Sequence, residues 1–219
     1  MANLEPLIQS IPVAPLKLAS LEGCRTLADQ VNNYLVSFRH ESPTNVGQAD
    51  SLQGYCADSY LLECECPRFG SGEGKGVLKE SVRGCDLFIM VDVTNYSLTY
   101  RVNGYENHMS PDNHYQDLKR IISAADGKAR RINVIMPFLY EGRQHKRSKR
   151  ESLDCALMLQ ELVDMGVSNI LTFDAHDPRV SNSIPLHGFD SFMPTYQFLK
   201  ALVNSVPDFV IDNDHLMII

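Results

Sequence analysis

Ile132-Asn133-Val134-Ile135-Met136-Pro137 is the stretch on which the fold turns. It reads as a buried strand, the kind of near-continuous apolar run expected of a strand covered on both faces. Before it, Tyr115, Leu118, Ile121, Ile122 and Ala125 recur at helical spacing, with Ser110 as cap and Pro111 in the first turn. After it, residues 150–165 carry another helical pattern, stopped by Gly166. The same alternation extends outward in both directions. Leu87–Val91 and Ile170–Phe173 are two further buried strands, and a short strand falls near Leu16–Ala19. Leu27, Val31, Tyr34, Leu35 and Phe38 place an amphipathic helix over 24–38, and Pro194–Val203 gives a last helix. Strand and helix in strict alternation predict an α/β domain: a parallel twisted sheet with helices on both faces. In such sheets ligands sit beyond the carboxyl ends of the strands. The places to look are therefore just after Val91, Pro137 and Phe173.

Bulk composition narrows the functional classes. Hydrophobic residues at 44% and charged residues at 21% belong to ordinary globular proteins. A formal net charge of -7 argues against nucleic acid as a partner, so any positive site must be local. No apolar stretch approaches the roughly 18 residues a membrane helix needs. Residues 1–20 lack a basic start and are interrupted by Pro6, Pro12 and Pro15, so they do not read as a secretory signal. The six cysteines are scattered; Cys64 and Cys66 stand too close for a zinc knuckle, and no paired motif follows. Reduced thiols in a cytoplasmic protein are the plain reading. Leu216-Met217-Ile218-Ile219 reads as a core strand with no turn or polar exit after it. The expected organisation is a domain over 1–205, with 206–219 the first strand of a second, missing domain.

Three segments carry chemistry. Phe69-Gly70-Ser71-Gly72-Glu73-Gly74-Lys75-Gly76 combines a base-stacking aromatic with four glycines that allow close backbone approach. It is not a phosphate-binding Walker loop, since Gly76 stands where Ser or Thr is required; a flexible hairpin tip is the competing reading. Residues 143–150 hold five Lys or Arg in eight positions directly behind a buried strand. Arg forks and Lys point charges together neutralise polyphosphate, although a solvated basic loop would look the same. Asp174-Ala175-His176-Asp177 follows another buried strand. Carboxylates there suit Mg²⁺, which is usually held jointly by protein and substrate phosphates; Mn²⁺ or Zn²⁺ also fit a histidine, and a helix-capping aspartate is the structural alternative. Together the three segments describe a metal–nucleoside polyphosphate site.

At these same three places the sequence resembles the ribose-phosphate pyrophosphokinases. Residues 66–86, Cys-Pro-Arg-Phe-Gly-Ser-Gly-Glu through Glu-Ser-Val-Arg-Gly-Cys-Asp, are similar to that family's Arg-Phe-Ser-Asp-Gly-Glu segment running into Glu-Ser-(Ile/Val)-Arg-Gly-Cys-Asp. Val134-Ile135-Met136-Pro137 through Arg143-Gln144 to Arg150-Glu151 resembles the family's strand and Arg-Gln-Asp-Arg sequence, with His145 in place of the aspartate. Leu171-Thr172-Phe173-Asp174-Ala175-His176 resembles Leu-Thr-Met-Asp-Leu-His. The resemblance implies a phosphoribosyltransferase-like domain, the amino-terminal half of an enzyme that joins ATP and ribose 5-phosphate. It implies that Phe69, Ser71, Glu73, Arg143, Gln144 and His145 bind ATP, with Phe69 and Glu73 acting across a subunit boundary in a homo-oligomer and Arg143 facing Phe69 across the adenine. His176, and less directly Asp177, would hold the Mg²⁺ of MgATP; Lys146, Arg147 and Lys149 would contact phosphate. Ser71 stands where the family has aspartate, and Asp177-Pro178-Arg179 replaces Ala/Ser-x-Gln. The family's second domain carries the ribose 5-phosphate loop and a mobile catalytic loop, and no match to either follows residue 180. The alternative is a non-catalytic regulatory relative of the enzyme.

Overall fold

The computed structural model describes residues 13–41 and 54–206. The expected strand at 216–219 and residues 207–219 of the expected second domain lie outside them. The chain runs β1 (Leu16–Ser20), a short 3-10 turn, α1 (Arg25–Glu41), β2 (Leu61–Leu62), β3 (Cys64–Glu65), β4 (Val77–Leu78) and β5 (Asp86–Met90). It continues through β6 (Thr99–Val102), β7 (Tyr105–His108), α2 (Pro111–Ala124), β8 (Arg131–Ile135), α3 (Asp154–Asp164), β9 (Val167–Phe173), β10 (Gly188–Phe192) and α4 (Thr195–Ser205).

Six strands form one parallel sheet in the order β10-β9-β8-β5-β1-β2. From β1 the chain steps to one edge, then returns to build the rest of the sheet on β1's other side, so strand order reverses between β1 and β5. Alternation within the strands separates two cores. Leu18 and Met90 pack with Cys24 and Ala28 under α1 on one face. Ala19, Leu87, Ile89, Val134 and Ile170 pack on the other face with Leu118 and Ile121 of α2 and Leu159 and Leu162 of α3. Helices on both faces of a parallel sheet are thus as the periodicity predicts.

Two devices tie neighbouring strands beyond their backbone ladders. Arg131 clasps Asp86 across β5 and β8 with two hydrogen bonds of 2.8 and 2.5 Å. Buried Asn133 accepts from the Asn169 amide at 2.6 Å and donates to the Leu87 carbonyl at 3.3 Å, so the polar pair is satisfied inside the sheet. The start of α2 is also as expected: the Ser110 hydroxyl accepts from the Asn113 backbone N–H at 3.2 Å, with Pro111 in the first turn. Replacing Ser110 with alanine should cost about 1 kcal/mol. In a chain of this size that lowers the thermal midpoint by roughly 2–4 °C, readable by circular dichroism.

Boundaries shift where polar residues extend an element. α1 continues to Glu41, beyond the last apolar position Phe38, whereas α3 starts only at Asp154 because residues 143–153 form a loop. The periodicity misses the antiparallel hairpin β6–β7 and the edge strand β10. The hairpin closes on Asn103 (φ 50°) and Gly104 (φ 85°), the two left-handed positions that a tight primed turn requires. α4 lies one or two residues from its expected bounds, and none of its residues is buried in this chain.

Six free cysteines sit on this scaffold, four of them buried. Burial pushes the thiols of Cys24, Cys64 and Cys155 up to about 11, and that of Cys66 to about 12. These groups bind their protons more tightly folded than unfolded. Their contribution to stability is therefore intact below about pH 9 and is lost as pH rises through 11. A thiol-reactive disulfide reagent at pH 8 should leave these four cysteines silent in the native chain and titrate all six only after denaturation.

Candidate nucleotide site

The loops after β5, β8 and β9 converge on a cleft of about 640 Å³. Its position, beyond the carboxyl ends of three adjacent parallel strands, is where the sheet topology places a ligand. Val93 and Thr94 come from the first loop, residues 138–143 from the second, and residues 173–176 from the third. Two non-glycine residues here adopt left-handed backbone, Glu141 (φ 55°) and Asp174 (φ 45°). Such residues cost of order 1–3 kcal/mol each and concentrate where backbone must turn sharply toward a ligand.

Arg143 and His176 both line the cleft and are exposed to it. Among the described residues no carboxylate makes an ion pair with Arg143, Lys146, Arg147, Lys149 or Arg150, so the basic loop retains its charge for an external anion. Gln144 works as a brace for this loop: its side-chain amide donates to the Ser152 carbonyl at 2.8 Å. One wall is held by Tyr140, which stacks on Tyr115 at 4.6 Å between centroids and donates to Asp112 at 2.5 Å. Phe138 and Phe173, each 45% exposed, present aromatic surface at the cleft. They were not singled out from the sequence, where each looks like the tail of a buried strand. The signal available was position, since Phe173 ends β9 and Phe138 stands three residues past β8, at the carboxyl ends of the strands.

His145, His176 and Asp177 gather at one side. The two imidazole rings are 5.1 Å apart, and His145 Nε2 lies 3.5 Å from Asp177 Oδ2. Asp177 caps the short 3-10 helix Pro178–Ser183, accepting from the Arg179 backbone N–H at 3.0 Å. The Arg179 guanidinium donates to the same carboxylate at 2.6 and 2.9 Å. These hydrogen bonds hold Asp177 well below the usual carboxylate range, with His145 a lesser contributor, so it stays ionised. Among the described residues no three His, Cys, Asp or Glu converge as a complete metal cage. Asp177 is thus the helix-capping aspartate that the sequence offered as the structural alternative, and His176 is the donor exposed at the cleft.

Phe69, Ser71 and Glu73 stand elsewhere in the chain. None lines the cleft. They form a tight tip in which Phe69 N–H donates to the Glu73 carbonyl at 2.7 Å and the Ser71 hydroxyl donates to the Glu73 carboxylate at 2.8 Å. Phe69 is 53% exposed. Three of the four glycines around it lie close against neighbouring groups, and Gly70 does not. A Cβ on Gly72 would stand 2.9 Å from Val102 of β6, on Gly74 2.3 Å from the Arg68 guanidinium, and on Gly76 2.3 Å from the Arg120 carbonyl oxygen. The loop is pressed onto α2 and the β6–β7 hairpin.

Comparison with known proteins agrees with this geometry. A family model for the N-terminal domain of ribose phosphate pyrophosphokinase matches residues 16–166. The ribose-phosphate pyrophosphokinase of Corynebacterium ammoniagenes is 29% identical over 167 residues, covering 75% of this chain and 41% of the relative. That of Bacillus caldolyticus is 30% identical over 122 residues, 55% of this chain and 34% of the relative. The crystal structure of phosphoribosylpyrophosphate synthetase from Mycobacterium smegmatis superposes with a TM-score of 0.63 at 21% identity, over 87% of this chain and 52% of that one. The chain thus spans about half the length of its solved relative and less of the curated ones. With the family model covering most of the described residues, the chain belongs to the ribose-phosphate pyrophosphokinase family and corresponds to its N-terminal domain.

Proposed function

We propose that this chain is the nucleotide-binding half of a ribose-phosphate pyrophosphokinase, and that the whole protein transfers the diphosphoryl group of ATP to ribose 5-phosphate. The observation that carries the proposal is the cleft at the carboxyl ends of β5, β8 and β9, with Arg143 and His176 exposed in it. In this reading the C1 hydroxyl of ribose 5-phosphate attacks the β-phosphorus of ATP, the bond to the α-phosphate oxygen breaks, and AMP leaves. Transfer of this kind depends mostly on positioning and on neutralising charge.

The residues divide that work. Arg143 supplies a planar cation able to stack on adenine, and Phe138 and Phe173 offer aromatic surface nearby. Lys146, Arg147 and Lys149 face the polyphosphate, while Gln144 and His145 hold the loop that presents them. His176 is the proposed ligand to Mg²⁺, which supplies charge stabilisation on the phosphate oxygens, and Asp177 adds a fixed negative charge beside it. Phe69, Ser71 and Glu73 do not line this cleft, so we assign them to the nucleotide site of a second copy in a homo-oligomer. Ribose 5-phosphate would be held mostly by the family's second domain, so residues 1–219 alone should bind nucleotide weakly or not at all and should not turn over. Among the described residues no helix is long and apolar enough to cross a membrane. With its cysteines unpaired, this fits the cytoplasmic setting proposed for the enzyme.

A regulatory relative is the second reading, favoured by one observation: Ser71, where the family has aspartate, already donates its hydroxyl to Glu73. Magnesium-dependent AMP release from ATP and ribose 5-phosphate separates the two. Activity from a chain continued past Ile219, absent from residues 1–219, is expected of the enzyme. AMP release by residues 1–219 themselves would refute the division of labour. Silence in both with ATP binding intact would favour the regulatory reading.

A further inference from the structure

We infer that Asp117, on α2 and away from the cleft, is a positioning residue for the Phe69–Glu73 loop. The inference rests on the reading of that loop as part of a nucleotide site. Arg68, the residue immediately before Phe69, donates both guanidinium branches to the Asp117 carboxylate, at 2.6 and 2.8 Å. Both side chains are nearly out of solvent, 9% and 6% exposed. Arg120, one turn along the helix, donates to the same carboxylate oxygen at 2.6 Å. A single buried carboxylate therefore holds two guanidinium groups together.

Tyr100 and Gly74 flank Arg68, which also borders a cleft of about 500 Å³. Its guanidinium carbon lies 5.3 Å from the centre of the Tyr100 ring on β6. Its backbone bridges to Gly74, where an added Cβ would come within 2.3 Å of the guanidinium. Without the Asp117 charge, Arg68 and Arg120 would face each other as like charges at close range, in surroundings that screen them poorly. Lifting the loop from α2 relieves that repulsion, and Phe69 and Glu73 move with it. The orientation of the loop tip is thus set by a carboxylate that touches no nucleotide.

The chain has no tryptophan, so Phe69→Trp makes a single-tryptophan reporter at the loop tip. In that background Asp117→Asn, which keeps shape and removes charge, should lower the steady-state fluorescence anisotropy of the tip while the far-ultraviolet circular dichroism is retained. Arg68→Lys, which keeps charge and removes the fork, should do the same to a lesser degree, and it stands in if the asparagine variant fails to fold. With Phe69 restored, MgATP affinity measured by calorimetry on the oligomer should fall by roughly tenfold in Asp117→Asn, the cost of ordering a freed loop on binding. Unchanged anisotropy in both variants overturns the inference, and so does a mobile tip with unchanged MgATP affinity. If the unmutated protein binds no MgATP, the nucleotide reading of the loop fails by itself, and the anisotropy comparison still decides whether Asp117 sets the loop.

Discussion

Gly76→Ala should lower the thermal midpoint by roughly 5–10 °C, although the change adds a single methyl group. The methyl carbon would lie 2.3 Å from the Arg120 carbonyl oxygen and 2.5 Å from its carbon. Both are backbone atoms of α2, so no rotamer change can relieve the contact. Either the loop carrying Phe69 separates from the helix or α2 shifts against the sheet, where Leu118 and Ile121 are fully buried. Overpacking of this kind costs about 1–3 kcal/mol, and more when backbone is involved. Gly70→Ala is the control: nothing lies within 4 Å of its added methyl and its backbone is not left-handed, so its midpoint should stay within a degree or two. Equal melting of the two variants would mean that the loop does not dock on α2.

Arg143→Ala should weaken MgATP binding by about two- to thirtyfold, the range for losing a cation–π contact to the base. The fold should persist, because Arg143 is exposed and makes no ion pair among the described residues. Gln144→Ala is expected to act differently. Its amide ties the basic loop to Ser152, so removing it should loosen residues 143–153 and weaken binding less. Binding is the measurement in both cases. An unchanged affinity in Arg143→Ala would favour a scaffold over a nucleotide-binding half-enzyme.

The sheet was legible because its strands are covered on both faces. Leu87, Ile89 and Val134 have no solvent exposure, and burial of that kind writes continuous apolar runs. The same rule located the cleft, since the loops after Val91, Pro137 and Phe173 are the ones that converge. Half-exposed elements were not legible. β10 reads Gly-Phe-Asp-Ser-Phe and is an edge strand with mixed exposure; β6 and β7 are mostly exposed, so no apolar period marks them. Asn103-Gly104 between Thr99–Val102 and Tyr105–His108 was a usable turn signal.

The glycine-rich loop shows the limit from the other side. Glycines that permit close approach to a ligand and glycines that permit close approach to a helix look alike in sequence. Gly76 takes the second role here, against the Arg120 backbone. Asp117 was invisible for a related reason: a charged residue on an amphipathic helix is usually solvated, and only the partners brought by the loop make this one buried.

The most direct test of the central claim is a nitrogen–proton correlation spectrum of the 219-residue chain titrated with MgATP, which detects weak binding. The account predicts concentration-dependent shifts of Gly142, Arg143, Ala175 and His176 at the cleft, lost in Arg143→Ala. Shifts confined to the β6–β7 hairpin, or no shift at millimolar MgATP, would contradict it.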